Sequence, residues 1–297
     1  MTAHLTLTAW QFAPVVTAAV GLAAALYLLA VRRVARDHPA RPWPVPRTLS
    51  FLAGLLVVAL ATQSAVGVYD DELLSAHMVQ HLTLLMVAPP LLIYGRPVTL
   101  ALHTSRNPVH RRIKRVVRSS AVTFLTNPVV VTLLFAAVVA GTHLTPIMNV
   151  VLTHGSVHEA EHCVYLVVGY LFFLPVLGSE PLRRRLSLPG RYLLLIIAMP
   201  VDTVVGLILM LAPHPLFSAY TNAHRSWGPS VLADQHLGGA LMWMVGDAIM
   251  AGFILGISLL FVRTADRAAD LDDSRLAAYN DYLRLMDEGS PATSASP

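Results

Sequence analysis

Cysteine occurs once in the 297 residues, at Cys163. A single thiol excludes an internal disulfide and a zinc site built on cysteines, so any metal must be held by histidine, methionine or carboxylate. Charge is also scarce. Asp, Glu, Lys and Arg make up 13% of the chain against 55% hydrophobic residues, and the mean hydropathy is +0.61. No soluble domain has an interior large enough to hide that surface, which leaves a polytopic membrane protein. The basic excess, a net charge of +4 and a pI near 9.5, sits in short runs between apolar stretches, as membrane topology demands. It therefore marks no nucleic-acid site. No basic residue precedes the first apolar run, which is not expected to be a cleavable secretory signal. No internal repeat is visible.

Seven apolar runs are long enough to cross a bilayer as helices, which takes about 20 residues. They cover roughly Phe12–Val31, Thr48–Val68, Leu73–Tyr94, Ala121–Ala140, Val157–Leu177, Tyr192–Leu211 and Leu237–Val262. With the N-terminus outside, the loops after the first, third, fifth and seventh runs carry every one of the 21 Lys and Arg residues except Arg225, as the positive-inside rule requires. The expected fold is all-α. Residues 1–262 form a bundle of seven transmembrane helices, N-terminus outside and C-terminus cytoplasmic, and residues 263–297 a cytoplasmic amphipathic helix with a disordered tail. In the last span Ala248, Gly252 and Gly256 recur every four residues, a small-residue ridge that lets another helix approach.

On this topology the 13 histidines segregate. Only His38, His103 and His110 fall in inner loops, while His4, His77, His81, His143, His154, His158, His162, His214, His224 and His236 lie toward the outer face. The third run, DDELLSAHMVQHLTLLMVAPPLLIYGRP, carries His77 and His81 one turn apart before Pro89 and Pro90 interrupt it. Histidine at membrane depth loses hydration and gains nothing unless something binds it. His154, His158 and His162 follow at four-residue spacing, each step turning about 40° around a helix axis and returning Glu161 beside His154. Two imidazole rows can thus meet at one depth, with Asp234 and His236 opening the last span at the same level. Imidazole and carboxylate, with Met78 and Met148 nearby, suit copper or zinc better than magnesium or calcium. Glu161 or Glu159 would orient the rings.

The string HEAEH, His158 to His162, also fits both zinc-peptidase patterns, in which two His bind metal and a Glu activates water. That makes an intramembrane zinc metalloprotease or hydrolase the alternative reading, although it leaves His77 and His81 without a role. A bis-imidazole haem protein is a third. Asp202 and Asp247 fall near mid-membrane, either as protonated structural groups or as a polar path. The methionines of the later spans read as packing.

The strings AHMVQHLTLLMVAPPLLIYGRPVTLAL, HEAEHCVYLVVGYLFFLPVLGSEP, WGPSVLADQHLGGALMWMVGD and LAAYNDYLRL resemble the seven-span CtaG family of cytochrome c oxidase assembly factors. The resemblance implies a role in bringing copper to a haem-copper oxidase at the outer face of a bacterial plasma membrane. The matching polar residues are His77, His81, His158, Glu161, His162, Asp234 and Gln235. Leu82 stands where relatives often have Met, and His236 where they often have Gln. Some relatives carry a fused copper-transport domain, which is not expected here. The combined expectation is a multi-pass, metal-binding assembly factor and not an enzyme. Copper, or zinc, is held by His77, His81, His158 and His162, with Asp234, Glu161 and His154 as further ligand candidates, and a cytochrome c oxidase subunit is the partner.

Overall fold

The computed structural model describes residues 8–183, 186–222, 225 and 227–288. His4, His224, Arg184, Arg185 and the 289–297 segment expected to be disordered lie outside the described residues. Every described element is helical: α1 (Pro14–Asp37), α2 (Val45–Gln63), α3 (Ala65–Tyr69), α4 (Leu74–Leu82), a π-helical turn (Thr83–Val87), α5 (Ala88–Tyr94), α6 (Pro97–Thr104), α7 (Val109–Val117), α8 (Ser120–Leu125), α9 (Pro128–His143), α10 (Ile147–Thr153), α11 (Gly155–Leu177), α12 (Leu188–Leu211), α13 (Ser218–Asn222) and α14 (Val231–Glu288). Proline opens α1, α2, α6, α9 and α12, where its missing N–H leaves no bond unmade.

Six helical stretches are long and apolar enough to cross a membrane: Pro14–Asp37, Val45–Tyr69, Leu74–Thr104, Gly155–Leu177, Leu188–Leu211 and Val231–Arg284. Such helices make the chain a polytopic membrane protein. The pair α9 and α10 also passes as one stretch, bent by 70°. The fourth apolar run differs from its expected Ala121–Ala140, because α8 stops at Leu125 and α9 starts only at Pro128. A residue before proline is pushed out of the helical region. Asn127 is accordingly extended, at ψ 132°, and its side-chain oxygen accepts from the Val129 amide at 3.0 Å.

The chain falls into two compact units, Met1–Met250 and Ala251–Pro297. The second is the C-terminal part of α14. Its described side chains are mostly exposed, including Leu276, Tyr279 and Leu283. In the first unit, Tyr27 stacks on Phe51 with centroids 4.0 Å apart. Its hydroxyl donates to the Gly95 carbonyl at 2.8 Å and accepts from Trp43 Nε1 at 3.0 Å. This core ties α1 and α2 to the lower end of the third span. The chain then turns through Arg96, at φ 51°, and Glu180 accepts from the Val98 and Thr99 amides at 3.0 Å each, capping α6.

Prolines 89 and 90 do not end the third span. Proline cannot donate to the carbonyl four residues back, and the helix widens instead, the Ala88 amide bonding to the Thr83 carbonyl five residues earlier. Both prolines then occupy the first turn of α5. Against this widened turn lies Gly169 of α11. A Cβ at Gly169 would collide with the Leu85 carbonyl oxygen and lie 2.9 Å from Pro89 Cγ, so only glycine lets α11 come this close. That contact fixes the height of α11 against α4.

Candidate metal centre

α4 starts where Asp234 of α14 caps it. One carboxylate oxygen accepts from the Leu74 amide at 2.6 Å and the other from Ser75 Oγ at 2.5 Å, placing negative charge at a helix N-terminus, where the macrodipole favours it. One turn on, His77 and His81 point inward and are buried, with ring centroids 4.1 Å apart. From α11, His158 stacks on His77 at 5.2 Å, and His162 lies 4.4 Å from His158. Glu161 joins the two rows, its Oε2 being 3.6 Å from His77 Nε2 and 3.3 Å from His81 Nε2.

Both ring nitrogens of His77 and of His81, and both carboxylate oxygens of Glu161, are buried with no hydrogen-bond partner among the described residues. An unsatisfied buried polar atom costs roughly 1–3 kcal/mol, and native interiors tolerate few. Six in one place is an arrangement suited to a cation. Two groups have one ligand atom from each member within 4.8 Å of the others: His77, His158 and Glu161, and Asp70, His158 and His162.

His162 and His143 are held in one tautomer each. Gln80 donates its amide to the Ala61 carbonyl at 3.0 Å, so its oxygen accepts from His162 Nε2 at 2.8 Å. That leaves His162 Nδ1 with the free lone pair. His143, the last residue of α9, sets Nδ1 2.8 Å from the Val139 carbonyl and keeps Nε2 buried and unpartnered among the described residues. Its ring lies 5.3 Å from His81, which also stacks on Tyr165 at 3.9 Å.

The loop before α4 supplies acids. Asp70 Oδ2 lies 3.7 Å from His158 Nε2, and Asp71 Oδ1 3.2 Å from His158 Nδ1. Burial pushes the Asp70 carboxyl up to about 7, against the pull of His158. The structure thus brings together His77, His81, His158, His162 and Glu161, and adds Asp70, Asp71, Gln80 and His143, which sequence reasoning left out of the ligand set. The acidic triplet ahead of the first histidine was the one visible signal for the aspartates.

Two candidates sit apart. His154 is exposed and extended at φ −133°, so it does not share the helical rotation of His158 and His162, and Glu161 faces α4 rather than returning beside it. Asp234 spends both oxygens on the α4 cap. His236 Nε2 lies 3.0 Å from the Ala212 carbonyl, and Gln235 accepts from the Leu216 amide at 2.7 Å. In the HEAEH string Glu159 is exposed while Glu161 is lodged between His77 and His81. Deeper in the bundle, Thr203 Oγ1 donates to Asp247 Oδ2 at 2.7 Å, and Asp202 is buried.

Fold and centre together define a helical membrane protein with a buried imidazole–carboxylate group near one end of its spans. The model of the cytochrome c oxidase caa3 assembly factor family matches residues 25–265, and the chain belongs to that family. It is also similar to uncharacterised proteins of Mycobacterium bovis and Mycobacterium tuberculosis, each 33% identical over 297 residues, and to one of Mycobacterium leprae, 30% identical over 296. These matches cover 94% of this chain but 45% of each relative, so the chain spans about half the length of the curated relatives it matches. No solved structure matches. The family is defined by assembly of an oxidase, not by a reaction of its own.

Proposed function

We propose that the chain takes up copper as cargo through the His77, His81, His158, His162 and Glu161 group and delivers it to a cytochrome c oxidase subunit docked at the outer face of a bacterial plasma membrane. Counting the bent α9–α10 pair as one crossing makes seven spans. The placement of every Lys and Arg but Arg225 then supports an outside N-terminus and a cytoplasmic 263–297 segment. The observation that carries the reading is the buried set of nitrogens and oxygens on His77, His81 and Glu161 that have no hydrogen-bond partner among the described residues. A cation would give a partner to one nitrogen of a ring and to the carboxylate at once.

The donor chemistry fits. Imidazole with carboxylate binds copper or zinc and is a poor match to magnesium or calcium, and Gln80 holds His162 with one lone pair free, as a ligand requires. Delivery needs reversible binding, which a set drawn from two separate helices permits better than a closed tetrahedral cage. No hydrolytic step is part of this reading, and the protein acts as a carrier and not as an enzyme.

The test is elemental analysis of the purified full chain after equilibration with copper or zinc. About one ion per chain is expected, falling at least tenfold in His77→Ala and in His162→Ala. Unchanged stoichiometry in both variants removes the site.

A further inference from the structure

The buried group holds two overlapping sets of candidate ligand atoms. One set is Asp70, His158 and His162, and the other is His77, His158 and Glu161. His158 belongs to both. The first set lies at the mouth of the two helices, on the loop before α4 and the first turns of α11. The second takes His77 of α4 and Glu161 of α11 in place of Asp70 and His162. Beside the first set the Asp71 side chain is 62% accessible, while those of His158, Asp70, Glu161 and His77 are 9%, 4%, 4% and 0%.

We propose that these are two alternative positions for a single divalent transition-metal ion, an outer one at Asp70, His158 and His162 and an inner one at His77, His158 and Glu161, with the ion moving between them by exchange of ligands about His158. This rests on the metal-carrier reading above and adds the route by which the cargo reaches the buried histidines. Asp71, exposed and 3.2 Å from His158 Nδ1, makes the first contact with a hydrated cation. Two carboxylates at the mouth raise the local cation concentration and the rate of capture. Sharing His158 keeps the two positions from filling together, because two dications joined by one imidazole repel strongly at such range.

The outer position is built and not incidental. The backbone carbonyl of Asp70 accepts from the buried Tyr220 hydroxyl at 2.8 Å, and Asp70 itself is 3% accessible. His158 Nε2 is buried and without a hydrogen-bond partner among the described residues, 3.7 Å from Asp70 Oδ2. Each set offers two imidazole nitrogens and one carboxylate oxygen, so an ion finds the same donor types in both.

The experiment uses the full chain in detergent, with Cu2+ as the probe, and reads two quantities: copper per chain at equilibrium, and the rate of loading by stopped-flow quenching of tryptophan fluorescence. Asp70→Asn is expected to load at least tenfold more slowly while ending with the same copper content, because the inner position survives. Asp71→Asn, at an exposed side chain that the fold does not need, slows loading severalfold and carries the same test should Asp70→Asn fold poorly. Glu161→Gln keeps an ion, held at least tenfold more weakly and released faster. If both aspartate variants load at the wild-type rate while wild type binds one copper, the outer position is refuted and the carrier reading stands. If Glu161→Gln loses all copper, a single pocket is correct. If wild type binds no copper, both readings fall.

Discussion

Gly169 sets its bare Cα against the carbonyl oxygen of Leu85, at the turn where the third apolar span widens to pass Pro89 and Pro90. The helix carrying His158 and His162 is thereby brought to the helix carrying His77 and His81. Gly169→Ala drives a methyl into backbone that cannot rotate away, and such overpacking costs about 1–3 kcal/mol. The expected outcome is a lower melting temperature together with weaker metal binding. A variant melting like wild type would show that the two helices are positioned by something else.

Asp234 acts on the centre from a distance. Its two oxygens terminate α4, so Asp234→Ala is expected to cost about 0.5–2 kcal/mol, the usual worth of an N-cap. Asp234→Asn keeps one acceptor and loses less. On the proposed reading, both variants are expected to keep the wild-type metal stoichiometry. Loss of the ion from well-folded Asp234→Asn would make this residue a ligand.

Asp70 gives the metal-free protein a distinctive response to acid. Burial raises its carboxyl to about 7 from an ordinary value near 4, so between those limits the folded chain binds a proton that the unfolded chain has released. Folding is therefore helped by protons in that window, and this contribution is lost as pH rises from about 4 to about 7. Asp70→Asn cannot ionise. It is expected to match wild type near pH 4 and to melt higher above pH 7, read from thermal melts of the metal-free protein. Equal differences at both pH values would place the Asp70 carboxyl back at its ordinary value.

Gln80 orders the ring of His162 without itself entering the ligand set. Gln80→Leu removes the acceptor that fixes the proton on Nε2, and loss of such an orienting partner typically lowers metal affinity 10–100-fold. Gln80→Glu retains the acceptor and is expected to recover much of the affinity. Equal affinity in wild type and Gln80→Leu would free His162 of this dependence.

The two i, i+4 histidine pairs were legible because period and depth follow from helical geometry alone, and each pair indeed lies on one regular helix. His154 misled for the same reason: it continues the spacing of His158 and His162, but sits before α11 starts, where the period no longer applies. Asp70 and Asp71 stand on a loop, which has no period to read. Gln80 is neutral and polar, and nothing local distinguishes it from surface amides. His143 reads as a loop residue until α9 is seen to run through it and stop. The positions of the membrane-length helices were readable from apolar length. The late start of α9 at Pro128 was masked by the apolar residues of α8 just upstream.

The widened turn at Thr83–Val87 holds, in effect, one residue more than a regular helix would use. One residue corresponds to about 100° of rotation around the axis. Shortening this stretch by a single position would restore an even spiral and swing the upstream imidazoles a quarter-turn and more away from α11, with both prolines still in place below. The irregularity is thus an angular offset that aims His77 and His81, and the proposed metal centre depends on a residue count as much as on residue identity.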